Sequence, residues 1–313
     1  MAIFLDTNVL PRQRVVRNVI ISTVLRIAEV CNIKVHLPSV VFDESVNARR
    51  QAATAAVDTL TSAISGLSKY CDLEPIYIPG IDEITEDWEN QLKDCFEIVN
   101  LHGEDAVEAL RREAARSKPA KDDGTGARDV AIWLTIKRAH LANGEVTHFV
   151  SDNWKDFAAA DRASLHGDLI NELGETAHRF HYYRKLDDLL SALASRKDVV
   201  LGSDRFGQRV LYDLLAQALS FEELADAEEE GFGDGERLGI RLEIFAIECT
   251  YGYEVEESLV CYAKVSCNLI FETQVGDDVR ASRIGVRVGC WVVCNKSDMK
   301  VAEASIDRIY EKS

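Results

Sequence analysis

The chain opens with Ala2–Leu5, a short apolar run that stops at Asp6, the pattern of a buried strand. Val15–Cys31 carries apolar residues at helical spacing (Val16, Val19, Ile20, Val24, Ile27), which predicts a helix. Lys34–Leu37 predicts a second strand, stopped by Pro38. Ser39 is placed to cap the next helix, which runs through Glu44 and an Ala-rich stretch toward Tyr70. Ile76–Ile78 reads as a short extended piece. Ile84–Val99 and Ala106–Arg116 read as helices around a turn at Gly103. Ser117–Gly126 is a loop, and a strong helix is expected from Ala127 to Leu141. Val146–Val150 predicts a third strand, followed by a short helix or turn around Asn153–Phe157 and a helical Leu169–Leu173. Arg179–Tyr183 could be a further strand and Leu186–Leu193 a helix. Strands alternating with helices predict an α/β fold: a parallel three-layer sheet with helices on both faces. Such sheets place their sites at the carboxyl ends of strands.

The pattern changes near residue 200. Val210–Leu224 predicts one more helix, and Asp226–Gly235 is an acidic, Gly-rich connector, best read as a solvated linker. Beyond it, alternation with period two takes over. In Cys261–Phe271 one face is Cys261, Ala263, Val265, Cys267, Leu269 and Phe271. Gly239–Cys249, Val286–Cys294 and Val301–Tyr310 complete four expected strands, with turn residues at Asn295–Asp298. The organisation expected is therefore an α/β domain over 1–198 and a C-terminal α+β domain with an antiparallel sheet over 199–313. The role of the second is open: partner binding, substrate recognition or dimer formation.

A length of 313 residues is long for one core, which agrees with two domains. No apolar run approaches the roughly 18 residues that span a bilayer. The N-terminus has neither a basic nor a long apolar region. The expectation is a cytoplasmic protein without a membrane role, its eight Cys reduced. Cys290 and Cys294 share a strand face with Val288 and Val292, and no paired Cys-x-x-Cys occurs, so the thiols read as small buried hydrophobes. His178 and His181, three apart on a candidate strand, would face opposite sides and form no ligand pair. Trp133 reads as core.

Formal net charge is −17, which argues against a protein that coats nucleic acid nonspecifically. Any basic contact surface must be local, and Arg111, Arg112, Arg116, Lys118 and Lys121 are the candidates, with a solvated helix face as the plain alternative.

Four acids stand where a parallel sheet would gather them on one edge. Asp6 ends the first strand. Glu44 lies near the start of the second helix. Asp129 opens a helix after Gly126, and Asp152 follows the third strand in Ser151-Asp152-Asn153-Trp154-Lys155-Asp156-Phe157. Each alone has an ordinary explanation as a turn, cap or solvated residue. Clustered carboxylates, however, raise one another's pKa values, and hard cations such as Mg²⁺ or Mn²⁺ relieve that repulsion. Metal ions held so can activate water against a phosphodiester. Both metals accept an all-oxygen site.

Strand-Asp6-Thr7-Asn8, a Glu on the second helix, Gly-x-x-Asp at Asp129 and strand-Ser-Asp-Asn-x-x-Asp-Phe together resemble the PIN domain family over about residues 1–190. The spacing, the long helical insertion and the C-terminal extension are most similar to PIN-like bacterial proteins of the DUF4935 type. The resemblance implies a metal-dependent endoribonuclease. Asp6, Glu44 and Asp129 match the first three family acids, and Asn8 and Ser151 match polar residues that shape the site. The fourth acid falls on Asp152, with Asn153 in the family's usual slot and Asp156 as a further alternative. Catalysis and metal binding are thus expected from Asp6, Glu44, Asp129 and Asp152, and nucleic-acid contacts from Arg116, Lys118, Lys121 and Arg128. RNA is the implied substrate, with single-stranded DNA, a regulatory protein partner and a homodimer left open. A dehalogenase-like phosphohydrolase is disfavoured, because it wants Asp at position 8, where Asn8 stands. A catalytically degenerate module binding RNA or protein remains the alternative.

Overall fold

The structure, a computed structural model, describes residues 1–11, 19–71, 77–199, 236–255, 257–275, 278–297 and 301–312. The start of the first expected helix, Ile76, the helix Val210–Leu224 and the connector Asp226–Gly235 lie outside these residues. The chain divides into two compact units, Met1–Leu190 and Ser191–Ser313.

The first unit is built on a parallel sheet of β1 (Ala2–Leu5), β2 (Lys34–Pro38), β3 (Glu97–Val99), β4 (Thr147–Val150) and β5 (Phe180–Tyr183), in the order β3-β2-β1-β4-β5. β1 is central, and all four of its residues are buried, which is why it reads as an unbroken apolar run. From β1 the chain steps to one side through β2 and β3, then returns to the other side through β4 and β5. The strand order therefore reverses between β1 and β4, and in open α/β sheets that is where a crevice forms.

Eight helices connect the strands among the described residues: α1 (Val19–Val30), α2 (Ser39–Leu67), α3 (Ile81–Cys95), α4 (Gly103–Ala115), α5 (Ala127–Asn143), α6 (Trp154–Phe157), α7 (Gly167–Leu173) and α8 (Leu186–Leu193). In α5, Val130 through Ile136 are all buried, so this helix is packed on every side and its N-terminus can be held firmly. Trp88 of α3 donates its indole N–H to Ser45 of α2 at 3.1 Å. Glu172 of α7 accepts hydrogen bonds from Arg112 of α4 (2.7 and 3.0 Å) and from Lys137 (2.7 Å) and Trp133 (3.2 Å) of α5. Trp133 is core, as expected.

Several expectations are corrected. The helix Ile84–Val99 ends at Cys95. Phe96 is extended and buried, and Glu97–Val99 pairs with β2 as the edge strand. The apolar residues there suit either period, and pairing to His36–Pro38 decides between them. Ser39 caps nothing: it is the first residue of α2, and its hydroxyl accepts instead from the Leu101 N–H at 3.1 Å. Tyr77–Gly80 forms neither helix nor strand. His178 lies in a 3-10 segment, Gly174–Arg179, before β5 rather than on it.

The second unit is an antiparallel meander of β6 (Ser195–Lys197), β7 (Glu236–Val255), β8 (Ser258–Val275), β9 (Asp278–Asn295) and β10 (Val301–Lys312), in the order β10-β9-β8-β7-β6. All four expected strands are present, each longer than its alternation suggests, and β6 is additional. Cys261, Ala263, Val265 and Cys267 stand opposite Val292, Cys290, Val288 and Val286, and all eight are buried. The opposite face is not uniformly polar. Tyr262 is buried edge-on against Trp291, with ring centres 4.9 Å apart. Cys261, Cys267, Cys290 and Cys294 are core residues as expected, whereas Cys31 and Cys95 are half-buried and Cys71 is exposed; burial pushes the Cys267 thiol up to about 11. No helix among the described residues is long and apolar enough to cross a membrane.

Candidate active site

Asp6 is the first residue beyond β1, and its backbone N–H donates to the Val150 carbonyl of β4. That bond fixes it at the strand-order reversal. Its carboxylate is almost wholly buried (4% exposed) and accepts from the Thr7 N–H at 2.7 Å, the Asn8 side-chain amide at 2.9 Å and the Ser151 hydroxyl at 2.5 Å. Burial pushes the Asp6 carboxyl up and nearby Glu44 adds to this, while the hydrogen bonds hold it down; the balance is upward. Asn8 also accepts from the Asp152 backbone N–H at 2.9 Å, so the ends of β1 and β4 are laced together.

Glu44, in the second turn of α2, accepts from the Thr7 hydroxyl at 2.7 Å and pairs with Arg128 at 2.5 Å. Asp129 sits in the first turn of α5. Its carboxyl is pushed up to about 6 by burial first, then by Asp156 and Asp6, against the pull of Lys121 and Asn153. Asn153 uses its side-chain nitrogen to reach both Asp129, at 2.9 Å, and Asp156, at 2.7 Å. Its backbone N–H donates to the Ser151 hydroxyl at 3.1 Å.

The structure brings together Asp6, Glu44, Asp129 and Asp156, with Asn8, Ser151 and Asn153 between them. Asp152 is turned away: it is exposed, and its carboxylate receives Arg184 at 2.8 Å. Asp156, the alternative left open for the fourth acid, is 2% exposed and lies with the other three. The short helix α6 causes this, because it turns Asp156 and Phe157 inward while Trp154 is only half-buried. Thr7 was missed by sequence reasoning, although a hydroxyl next to a strand-end Asp is a signal for such a link.

Of the expected basic contacts, Lys121 and Arg128 lie on the carboxylates themselves. The Lys121 ammonium is 3.6 Å from Asp156 and 4.0 Å from Asp129. Its loop closes tightly: the Lys121 N–H donates to Thr125 at 2.8 Å, and Gly126 follows at φ +113. A Cβ at Gly126 would come within 3.2 Å of the Ala120 Cα, so only glycine lets the loop deliver Lys121 here. Arg116 is exposed in the left-handed cap of α4, and Lys118 donates to the Lys155 carbonyl at 3.2 Å. Arg112 is not part of a contact surface, because Glu108 and Glu172 take up its guanidinium.

The cluster opens into a cleft of about 570 Å³, bordered by Asp6, Glu44, Asp129 and Asn153 and continued along α2 past Ser45 and Ala48. Among the described residues, no three His, Cys, Asp or Glu side chains converge into a finished metal-ligand set. The donor chemistry nonetheless fits a hard cation. The groups that could ligate it, carboxylates, hydroxyls and side-chain amides, all offer oxygen; two carboxyls are pushed up, and two cationic side chains already lie against the acids.

Residues 3–157 match the family model of the PIN domain, and the parallel-sheet unit has the PIN domain fold. The matched segment spans the cluster from Asp6 to Asp156. Domains of this family are commonly nucleases and usually use Mg²⁺ or Mn²⁺. No curated protein and no solved structure matches the chain.

Proposed function

We propose that this PIN domain is a metal-dependent nuclease, an endoribonuclease hydrolysing phosphodiester bonds of single-stranded RNA. The observation that carries the reading is the gathering of Asp6, Glu44 and Asp129 on one open cleft, with Asp156 joined to Asp129 through Asn153. A fold keeps so costly an arrangement most readily when the charge serves a cation.

Asp6, Glu44, Asp129 and Asp156 would hold Mg²⁺ or Mn²⁺. When bound, such an ion supplies a polarised phosphate and a water of lowered pKa. The chain's own residues do the rest. Ser151 and Asn8 keep the Asp6 carboxylate in one orientation, and Thr7 does the same for Glu44. Asn153 places a donor between Asp129 and Asp156, which lowers their repulsion without adding charge. Lys121 and Arg128 balance the acids until a cation does so, and are then free for phosphate contacts, alongside Arg116 and Lys118. Asp152, committed to Arg184, stays outside the ligand set.

The test is cleavage of a mixed-sequence single-stranded RNA with Mn²⁺, Mg²⁺ or EDTA, comparing the wild type with Asp6→Asn and Asp129→Asn. Cutting that needs metal and is lost in both folded variants is the expected result. Equal cutting by wild type and variants would expose a contaminant. Binding without cutting would leave a catalytically silent RNA-binding module.

A further inference from the structure

Lys118, Lys155 and Arg162, which group around Trp154 beside the site, have no acidic partner among the described residues, in a chain with 53 acids and 36 bases. Arg112, Lys121, Arg128, Lys137, Arg138 and Arg184 each meet a carboxylate. Among the described residues, Lys118, Lys155 and Arg162 do not; what they meet is a carbonyl and a ring. The Arg162 guanidinium lies 4.2 Å from the centre of the Trp154 ring, the Lys155 ammonium lies 5.8 Å from it, and Lys118 donates to the Lys155 carbonyl at 3.2 Å. Trp154 itself is half-buried and directly follows Asn153, whose amide joins Asp129 to Asp156.

The loop that carries Arg162 is braced. Ala158 and Leu165 form an antiparallel bridge, and the Ala159 N–H donates to Ser164 at 2.8 Å. Asp161 accepts from the Ala163 N–H (2.9 Å), the Ser164 N–H (2.9 Å) and the Ser164 hydroxyl (2.5 Å). Arg162 occupies the left-handed region, φ 60, which an L residue adopts at a cost. The turn at Arg162 and the ring contact thus come from a defined loop.

We propose that Trp154 and Arg162 form a stacking platform for an unpaired base of the nucleic acid substrate, with Lys118 and Lys155 on the adjoining phosphates. The proposal rests on the reading of the site as a nuclease. An indole with a guanidinium laid on it offers a flat, polarisable, positively charged surface, and bases stack on aromatic rings and on Arg planes alike. A base within a duplex is already stacked on both faces, so the platform selects single strands. The local positive charge lets a strand approach an otherwise acidic protein.

The experiment is fluorescence anisotropy with labelled uridine and thymidine 12-mers in EDTA at low salt, using the full chain. The wild type should bind both. Trp154→Ala should weaken binding about tenfold and Arg162→Gln at least threefold. Lys93→Gln is the charge control. Its ammonium lies over Phe42 but is paired with Glu89, and it should stay within twofold of wild type. Arg162 is exposed, so its variant folds even if Trp154→Ala does not. A wild type that binds neither strand, a duplex bound as tightly as the single strands, or an Arg162→Gln protein that binds as wild type overturns the platform. Binding is read without metal. Weak binding by the variants, together with a wild type that cuts no RNA in Mn²⁺, would keep the platform and discard the nuclease. Uridine binding without thymidine binding would restrict the platform to RNA.

Discussion

Lys121 holds its ammonium 3.6 Å from the buried carboxylate of Asp156. A side chain that is 44% exposed thus serves as counter-ion to one that is almost fully enclosed, and any cation entering the cluster competes with it.

From that competition follows a change in metal affinity. Lys121→Met should bind Mn²⁺ about two- to fivefold more tightly than wild type, the range expected for losing one half-exposed charge. Isothermal titration at neutral pH measures it. Weaker or unchanged Mn²⁺ binding would show that the ammonium does not compete.

Asn153 is the neutral donor between two acids. Asn153→Asp replaces that donor with a third carboxylate, so the metal-free protein should lose about 1–3 kcal/mol. Added Mn²⁺ should raise its melting temperature by more than it raises that of the wild type. Equal melting temperatures in EDTA would contradict this account of Asn153.

The Asp129 carboxyl gives a pH dependence of defined sign. It titrates near 6 in the folded protein against 3.8 for an ordinary Asp. Between these values the folded state keeps a proton that the unfolded state has released, so this group's contribution to stability falls as pH rises across the window. Above about pH 6 the deficit is on the order of 2 kcal/mol. In EDTA, Asp129→Asn should therefore be more stable than wild type above this window, and the gap should close toward pH 4. Thermal melts across that range decide it; a gap that does not vary with pH is the contrary result.

Glu172 works with the opposite sign. Burial raises its carboxyl, but hydrogen bonds from Arg112, Lys137 and Trp133 outweigh this and hold it below the usual 4.5. Its stabilisation is complete above the unfolded value and is lost as pH falls through the lower folded one. Glu172→Gln should cost about 2 kcal/mol near neutrality, because it leaves two part-buried cations undercompensated. The variant should approach wild type in acid. Urea melts at neutral and acidic pH make the comparison, and equal stability near neutrality would remove Glu172 from this role.

Much of the fold was legible because burial writes a local, periodic record. Ala2–Leu5 is apolar without interruption because both faces of that strand are covered, and the alternation in Cys261–Phe271 records a half-covered sheet. The strand Glu97–Val99 was not legible. Its residues continue the apolar spacing of the helix before it, and only hydrogen bonds to His36–Pro38, about 60 residues away, draw it into the sheet.

For the site, the sequence alone determined which acids could gather. Asp6 and Ser151 end strands, Asp129 opens a helix, and a parallel sheet brings such ends to one edge. Only the tertiary structure decided where each polar side chain points. Asp152 turns to Arg184, Asp156 turns inward to Asn153 and Lys121, Arg112 is drawn to Glu172, and Arg162 lies on Trp154. The reason is physical. An apolar residue needs only to leave water, a requirement that neighbouring residues reveal. A charged one takes its direction from specific partners, and those partners are supplied by distant parts of the chain.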